Sequence, residues 1–259
     1  MRVALGIEYD GTEFSGWQVQ PKQRTVQGCL QQALSKVANH SIKVVAAGRT
    51  DSGVHALSQV VHFDTSSERP ERNWILGLNT NLPSDINVVW AREVDDDFNA
   101  RFSAVRRSYR YLLINRVSRS SVHADRMWWF FKPLDEQRMQ DAANLLVGHH
   151  DFSAFRAKDC QAKNTMKTME KIKVTRQGDC IAIDVVAQSF LHHMVRNIVG
   201  VLVLIGEGKM PVEWAKQVLD SKDRGQGGIT SPPQGLYFMN VEYPAQYSLP
   251  TVSAFPVLW

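Results

Sequence analysis

Three cysteines among 259 residues are too few for a disulfide framework. Cys29, Cys160 and Cys180 include no Cys-x-x-Cys pair, which argues against a zinc ribbon or a dithiol redox centre. This odd, sparse count fits a reducing compartment. The opening MRVALGIEYDGTEF carries Glu8 and Asp10 where a signal peptide would be apolar. The longest apolar run, NIVGVLVLIG, falls short of the ~20 residues that a membrane span needs. A cytoplasmic chain with no membrane partner is expected. Low-complexity tracts and long linkers are absent, and 44% hydrophobic with 22% charged residues argues against disorder.

Cofactor fingerprints are missing too. IGEGKM ends in Gly-Lys but lacks the upstream glycine and the following Ser or Thr of a phosphate loop. No glycine-rich dinucleotide pattern follows a strand, and no serine sits in a nucleophile elbow. His149-His150 and His192-His193 are adjacent pairs, read here as helical. Helical neighbours point about 100° apart, unlike the i, i+4 spacing that aims two rings at one ion. Neither a metal nor an organic cofactor is expected.

What is present is a repeated order of elements. RVALGIEYDG reads as a strand, and TVQGCLQQALSKVANH as a helix with Thr25 as N-cap. IKVVAAGRTD and ALSQVVHFDT read as strands, RNWILGLNTNLP as a helix stopped near Pro83, and DINVVWAREV as a strand. In the second half SYRYLLIN is a strand and DEQRMQDAANLLVGHH a helix. MEKIKVTRQG and CIAIDVVAQSF form a hairpin around Gly178-Asp179. FLHHMVRNIVGVLVLIGEG is a helix, a short helix follows Pro211, and GLYFMNVEYP is the last strand. Each half follows the β-α-β-β-α-β order of a ferredoxin-like unit. The expected class is α+β, with two ferredoxin-like domains, 1–100 and 101–259, facing a central cleft. The Trp128–Phe131 aromatic run is expected to be buried core rather than a subunit interface.

The net charge is only +4, but its distribution is informative. Between Arg101 and Arg126 stand seven arginines and one acid, Asp125, with Phe102, Tyr109 and Tyr111 interleaved. A second run, RAKDCQAKNTMKTMEKIK, has six cations and two acids. Guanidinium groups bind phosphate bidentately, and aromatic rings offer bases a stacking face. One such run is an ordinary solvated face. Two runs in two similar α/β halves point to nucleic acid, and the lack of helix-turn-helix or zinc-finger patterns favours RNA.

Three residues stand out as candidates for chemistry. Asp51 lies in AAGRTDSGVHAL, where an Asp-Ser-Gly turn explains the acid by backbone bonding alone. Against that plain reading, Arg49 lies at i−2, and the preceding Ala-Ala-Gly leaves room for a large ligand. Arg196 sits in the most apolar helix of the chain, where it either snorkels or faces a carboxylate or phosphate. Tyr109 is either core or a stacking platform, and Tyr111 shares its face by the strand's period of two.

YDGTEFSGWQVQ, GRTDSGVHA, ARFSAVRRSYRY, FLHHMVRNIVG and SPPQGLYF occur here in the order seen in the tRNA pseudouridine synthase A (TruA) family. The chain resembles that family over nearly its whole length. The resemblance implies isomerisation of uridine to pseudouridine at positions 38, 39 and 40 of the tRNA anticodon stem-loop, without metal or organic cofactor, by a homodimer. It implies Asp51 as the catalytic carboxylate, Tyr109 packed on the target base, and Arg49 and Arg196 as the two active-site arginines. Ser52 stands where many members carry Ala. Both are small, and no consequence is expected. GGITSPPQGLYF departs from the usual Ala-Pro-Ala version. A non-catalytic RNA-binding protein on the same scaffold is the rival reading, and only the Asp51 constellation separates the two.

Overall fold

A computed structural model of the chain describes residues 1–158, 160 and 162–250. Ten strands and five α-helices occur among them, an α+β composition. They divide into two compact units, Met1–Val105 with the chain from Tyr237 on, and Arg106–Leu236.

The first unit contains β1 (Arg2–Tyr9), α1 (Val26–Ala38), β2 (Val45–Ala46), β3 (His55–Asp64), α2 (Glu71–Asn81) and β4 (Ile86–Val94). β1 pairs antiparallel with both β3 and β4, giving the order β4-β1-β3. Arg2 lies opposite Asp64 in the β1–β3 register and closes a two-point ion pair with it at 2.8 and 3.1 Å. Thr25 caps α1 as expected, accepting from the Gly28 N–H at 3.3 Å. Leu30, Ala33 and Leu34 of α1 are buried at helical spacing, and Trp74 and Leu78 do the same for α2. The ring edge of Phe63 on β3 meets Trp74 at 5.2 Å, which fastens α2 to the sheet.

The second unit contains β5 (Arg106–Asn115), β6 (Trp128–Phe130), α3 (Glu136–Asn144), β7 (Gly148–Asp151), β8 (Met166–Gln177), β9 (Cys180–Ala187), α4 (Met194–Gly206) and α5 (Trp214–Ser221). Its strands run β6-β5-β9-β8-β7; β6 is parallel to β5 and the other pairs are antiparallel. Asp135 caps α3 through the N–H groups of Gln137 and Arg138. α4 is buried on nearly every side, which accounts for its apolar sequence.

Several expectations change. GLYFMNVEYP forms the last strand as expected, β10 (Leu236–Glu242), and its parallel pairing with β3 is the unexpected feature. Strand β2 is only two residues long, and β10 occupies another part of the same edge of β3. Neither histidine pair is helical. α3 stops at Asn144, so His149 and His150 alternate across β7. His149 Nδ1 lies 2.9 Å from Thr168 Oγ1, and His150 Nε2 lies 3.0 Å from the Val147 carbonyl. α4 begins only at Met194, after His193 in left-handed geometry. The Trp128–Phe131 run does begin as a strand, but Trp129 and Phe131 are 40% and 53% exposed, so that run is no buried core. All three cysteines are free thiols. No helix among the described residues is long and apolar enough to cross a membrane.

Candidate active site

Asp51 sits half-buried in a turn closed by the Val54 N–H on the Asp51 carbonyl, 3.2 Å. Gly53 has φ +77°, which is why a glycine occupies the third place of this turn. The approach to the turn is fixed by a buried amide. Gln59, fully buried on β3, donates Nε2 to the Gly48 carbonyl at 2.8 Å and accepts the Gly48 N–H at 3.3 Å. Next to Asp51, the buried Thr50 hydroxyl lies 2.8 Å from the Tyr9 phenol. Burial pushes the Tyr9 phenol up to about 12, so it remains a neutral hydrogen-bonding group at physiological pH. Arg49 is exposed on the same loop.

The segment after β1, Asp10–Trp17, lies directly against this turn. The Gly11 N–H donates to His55 Nδ1 at 3.0 Å, and the Trp17 N–H donates to the Thr50 carbonyl at 3.0 Å. Ser52 Oγ donates to the Phe14 carbonyl at 3.0 Å. A methyl group at Gly11 would sit 2.0 Å from the Val54 carbonyl oxygen, so that position admits no side chain. In YDGTEFSGW the spacing of the two glycines is the sequence signal of this close backbone approach. His55 is buried and stacked on Tyr237 at 4.8 Å, a placement that no local sequence pattern signals. Ser52 was expected to be without consequence, yet it makes a bond that alanine cannot.

In the second unit Tyr109 lies mid-strand on β5, half-buried, with its ring edge-on to Phe190 at 4.9 Å and 80°. Tyr111, two residues on, is fully buried, and its hydroxyl donates to the Pro232 carbonyl at 2.7 Å. Burial raises its phenol well above the ordinary tyrosine value. Of the two tyrosines, Tyr111 is therefore the core residue and Tyr109 the one with exposed surface.

Arg196 lies in the first turn of α4, half-buried, and its Nε donates to the Ser231 carbonyl at 2.8 Å. The segment bearing Ser231 runs close along α4. A methyl group at Gly200 would lie 1.8 Å from the Ile229 carbonyl oxygen. Asn197, nearly fully buried, donates to the Phe155 carbonyl at 2.7 Å and accepts from Thr230 Oγ1 at 2.7 Å and Arg224 at 3.1 Å. FLHHMVRNIVG and GGITSPPQG thus form one construction, in which the Asn and Gly of the first motif hold the second beside Arg196.

The arginine run is less available for phosphate than its sequence indicates. Arg110 lies opposite Asp184 in the β5–β9 register and binds both its carboxylate oxygens, at 2.6 and 2.9 Å. Arg106 pairs with Glu170 at 2.6 Å and Arg116 with Asp179 at 3.4 Å. Arg107 is buried and donates to the Gln188 carbonyl. In the second run, Lys171 and Lys173 are exposed on β8 and alternate with buried Ile172 and Val174. Asp159 and Gln161 of that run lie outside the described residues.

The structure therefore carries Arg49 and Asp51 on one loop of the first unit, and Tyr109 and Arg196 on β5 and α4 of the second.

Comparison with known proteins agrees with these motifs. A family model described as tRNA pseudouridine synthase matches residues 6–103 and 142–244. A tRNA pseudouridine synthase A from Nitrosococcus oceani is 52% identical over 259 residues, covering all of both chains. One from Pseudomonas aeruginosa is 52% identical over 250 residues, 96% of this chain and 88% of that protein. One from Coxiella burnetii is 48% identical over 255 residues, 98% of each.

Proposed function

The chain belongs to the tRNA pseudouridine synthase family and is an isomerase of tRNA uridine, and from that premise we propose that Asp51 is its catalytic carboxylate. It acts on a flipped-out uridine at positions 38, 39 and 40 of the anticodon stem-loop. The observation that carries this reading is the way Asp51 is held: half-buried, in a turn whose neighbours on both sides are hydrogen-bonded into the fold. A turn that served only to reverse the chain would not need that support.

The reaction breaks the C1′–N1 bond, rotates the base and joins C1′ to C5. The proton on C5 is released to solvent and N1 gains one, so substrate and product are isomers. A single carboxylate suffices to start it, whether by attack at C1′, by attack at C6 or by removal of the C2′ proton. The uridine must leave its stack, at a cost of a few kcal/mol. Tyr109 supplies a ring face for the extruded base. Arg196 is read as an active-site arginine, and a guanidinium near a carboxylate favours its charged form. Arg49 displaces the base or holds its phosphate. No metal or organic cofactor takes part.

The strand order β4-β1-β3, with β2 on the far edge of β3, supports reading the first unit as ferredoxin-like. The order β5-β9-β8, with α3 between β5 and β8 in sequence, supports the same for the second. The enzyme works in the cytoplasm as a homodimer, which sedimentation checks directly.

Tritium release from 5-tritiated tRNA tests the assignment. Wild type releases the label, and Asp51→Asn releases none while keeping its fold and tRNA binding. Substantial turnover by a folded Asp51→Asn would sink it. Tyr109→Phe keeps most activity and Tyr109→Leu loses much of it; equal rates in both variants and wild type would remove Tyr109 from the site.

A further inference from the structure

The Asp51 turn is not held by its own strand connection alone. Segment 10–17 touches it at four successive places. Trp17 N–H binds the Thr50 carbonyl at 3.0 Å, Gly16 lies beside the backbone of Thr50–Ser52, Phe14 accepts from Ser52 Oγ at 3.0 Å, and Gly11 lies under the Val54 carbonyl. Gly16 is the close approach to the backbone of Asp51 and its two neighbours. Its φ is +88°, and a methyl group there would lie 2.9 Å from the Thr50 carbonyl oxygen, 3.1 Å from the Ser52 nitrogen and 3.2 Å from the Asp51 carbonyl carbon. These are main-chain atoms, which cannot turn aside as a flexible side chain would. The segment is itself anchored, because the Gly16 and Trp17 carbonyls accept from the Val26 and Gln27 N–H groups in the first turn of α1, at 3.2 and 3.0 Å.

We infer that segment 10–17 is a clamp that sets the position of the Asp51 carboxylate, with Gly16 and Ser52 as positioning residues. This rests on the reading of Asp51 as the catalytic carboxylate. Neither residue touches substrate in this account. They fix the Asp51 backbone from one side, and α1 fixes them in turn. Displacement of a reacting group by about 1 Å can cost a hundredfold in rate while leaving remote binding contacts intact. The consequence is a separation of turnover from affinity. Damage to the clamp slows the chemical step, and tRNA binds as before.

Gly178 provides the control. It also has positive φ, +56°, at the β8–β9 turn, but a methyl group there meets nothing within 4 Å. Gly16→Ala and Gly178→Ala therefore both carry backbone strain, and only the first presses on the Asp51 turn. The experiment measures single-turnover tritium release at saturating enzyme, tRNA Kd by filter binding, and Tm, for wild type, both glycine variants and Asp51→Asn. The expected result is a rate about thirtyfold to a hundredfold lower for Gly16→Ala, with Kd within about twofold of wild type, and no such loss for Gly178→Ala. A Gly16→Ala rate within about threefold of wild type, or a loss that follows Kd alone, overturns the clamp. Where Gly16→Ala does not fold, Ser52→Ala decides, since it removes one hydrogen bond only. It is expected to be roughly threefold slower with unchanged Kd, and a wild-type rate overturns the proposal. Turnover by folded Asp51→Asn would instead remove the catalytic reading, and the clamp's purpose with it. An inactive Asp51→Asn beside a fully active Gly16→Ala overturns the clamp alone.

Discussion

Arg196 and Ser231 are joined twice. The guanidinium Nε donates to the Ser231 carbonyl at 2.8 Å, and the Ser231 N–H donates to the Arg196 carbonyl at 3.2 Å. One bond orients the side chain and the other ties its backbone to the same residue, so the head group is held from both ends. Lysine has no planar Nε–H at that position and cannot repeat this contact. Arg196→Lys is expected to keep the charge and the fold but to lower turnover by about tenfold or more, as read by tritium release beside a thermal melt. A variant as active as wild type would show that charge alone is used.

Asn197, the next residue, tests the support beneath Arg196. It is nearly fully buried with its amide bonded on both sides. Asn197→Leu leaves the Phe155 carbonyl and the Arg224 guanidinium without this partner. The expected loss is about 2–3 kcal/mol in urea unfolding, with the unfolding slope unchanged.

Gly200 marks where backbone meets backbone. Gly200→Ala drives a methyl group into the Ile229 carbonyl, 1.8 Å away. Helix propensity alone would favour alanine by up to about 1 kcal/mol, so the sign of the change separates the two effects. The close approach dominates, and the variant is expected to unfold at lower urea than wild type by at least about 2 kcal/mol. A stabilised variant would contradict the packing of this segment on α4.

His62 sets a pH response in the first unit. Its Nδ1 accepts the Ala100 N–H at 3.1 Å, and its ring edge meets Phe98 at 5.9 Å. Burial lowers its pKa below the ordinary value; the Arg2 charge lowers it further, and Asp64 opposes. The unfolded chain therefore takes up this proton first as the pH falls. The contribution to stability is complete above about pH 6.5 and is lost progressively as the pH falls from there towards the folded value. Thermal melts between pH 7.5 and pH 5 should show a steeper fall in Tm for wild type than for His62→Asn.

Much of the secondary structure was legible because periodicity survives in a single sequence. Thr25 caps α1, the Gly178 turn joins β8 to β9, and the apolar continuity of α4 marks a helix buried on nearly all sides. The ends were less legible. α3 stops at Asn144, shortly before Gly148 with its φ of +118°, and α4 waits until Met194, after His193 in left-handed geometry. The arginine run misled too. Charge density is a property of the string, but whether Arg110 meets Asp184 is a matter of strand register.

The sequence by itself determined the chemical inventory: one carboxylate in a tight turn, and two arginines and a tyrosine in motifs shared with a family of tRNA-modifying enzymes. Turn chemistry and helical spacing act over a few residues, so they can be read along the chain. Only the tertiary structure decided how those residues are held. The Asp51 turn rests on glycines about 35 to 40 residues earlier, and Arg196 on a serine 35 residues later. These are backbone-to-backbone approaches and cross-chain hydrogen bonds, and the distances that govern them exist only once the chain has folded.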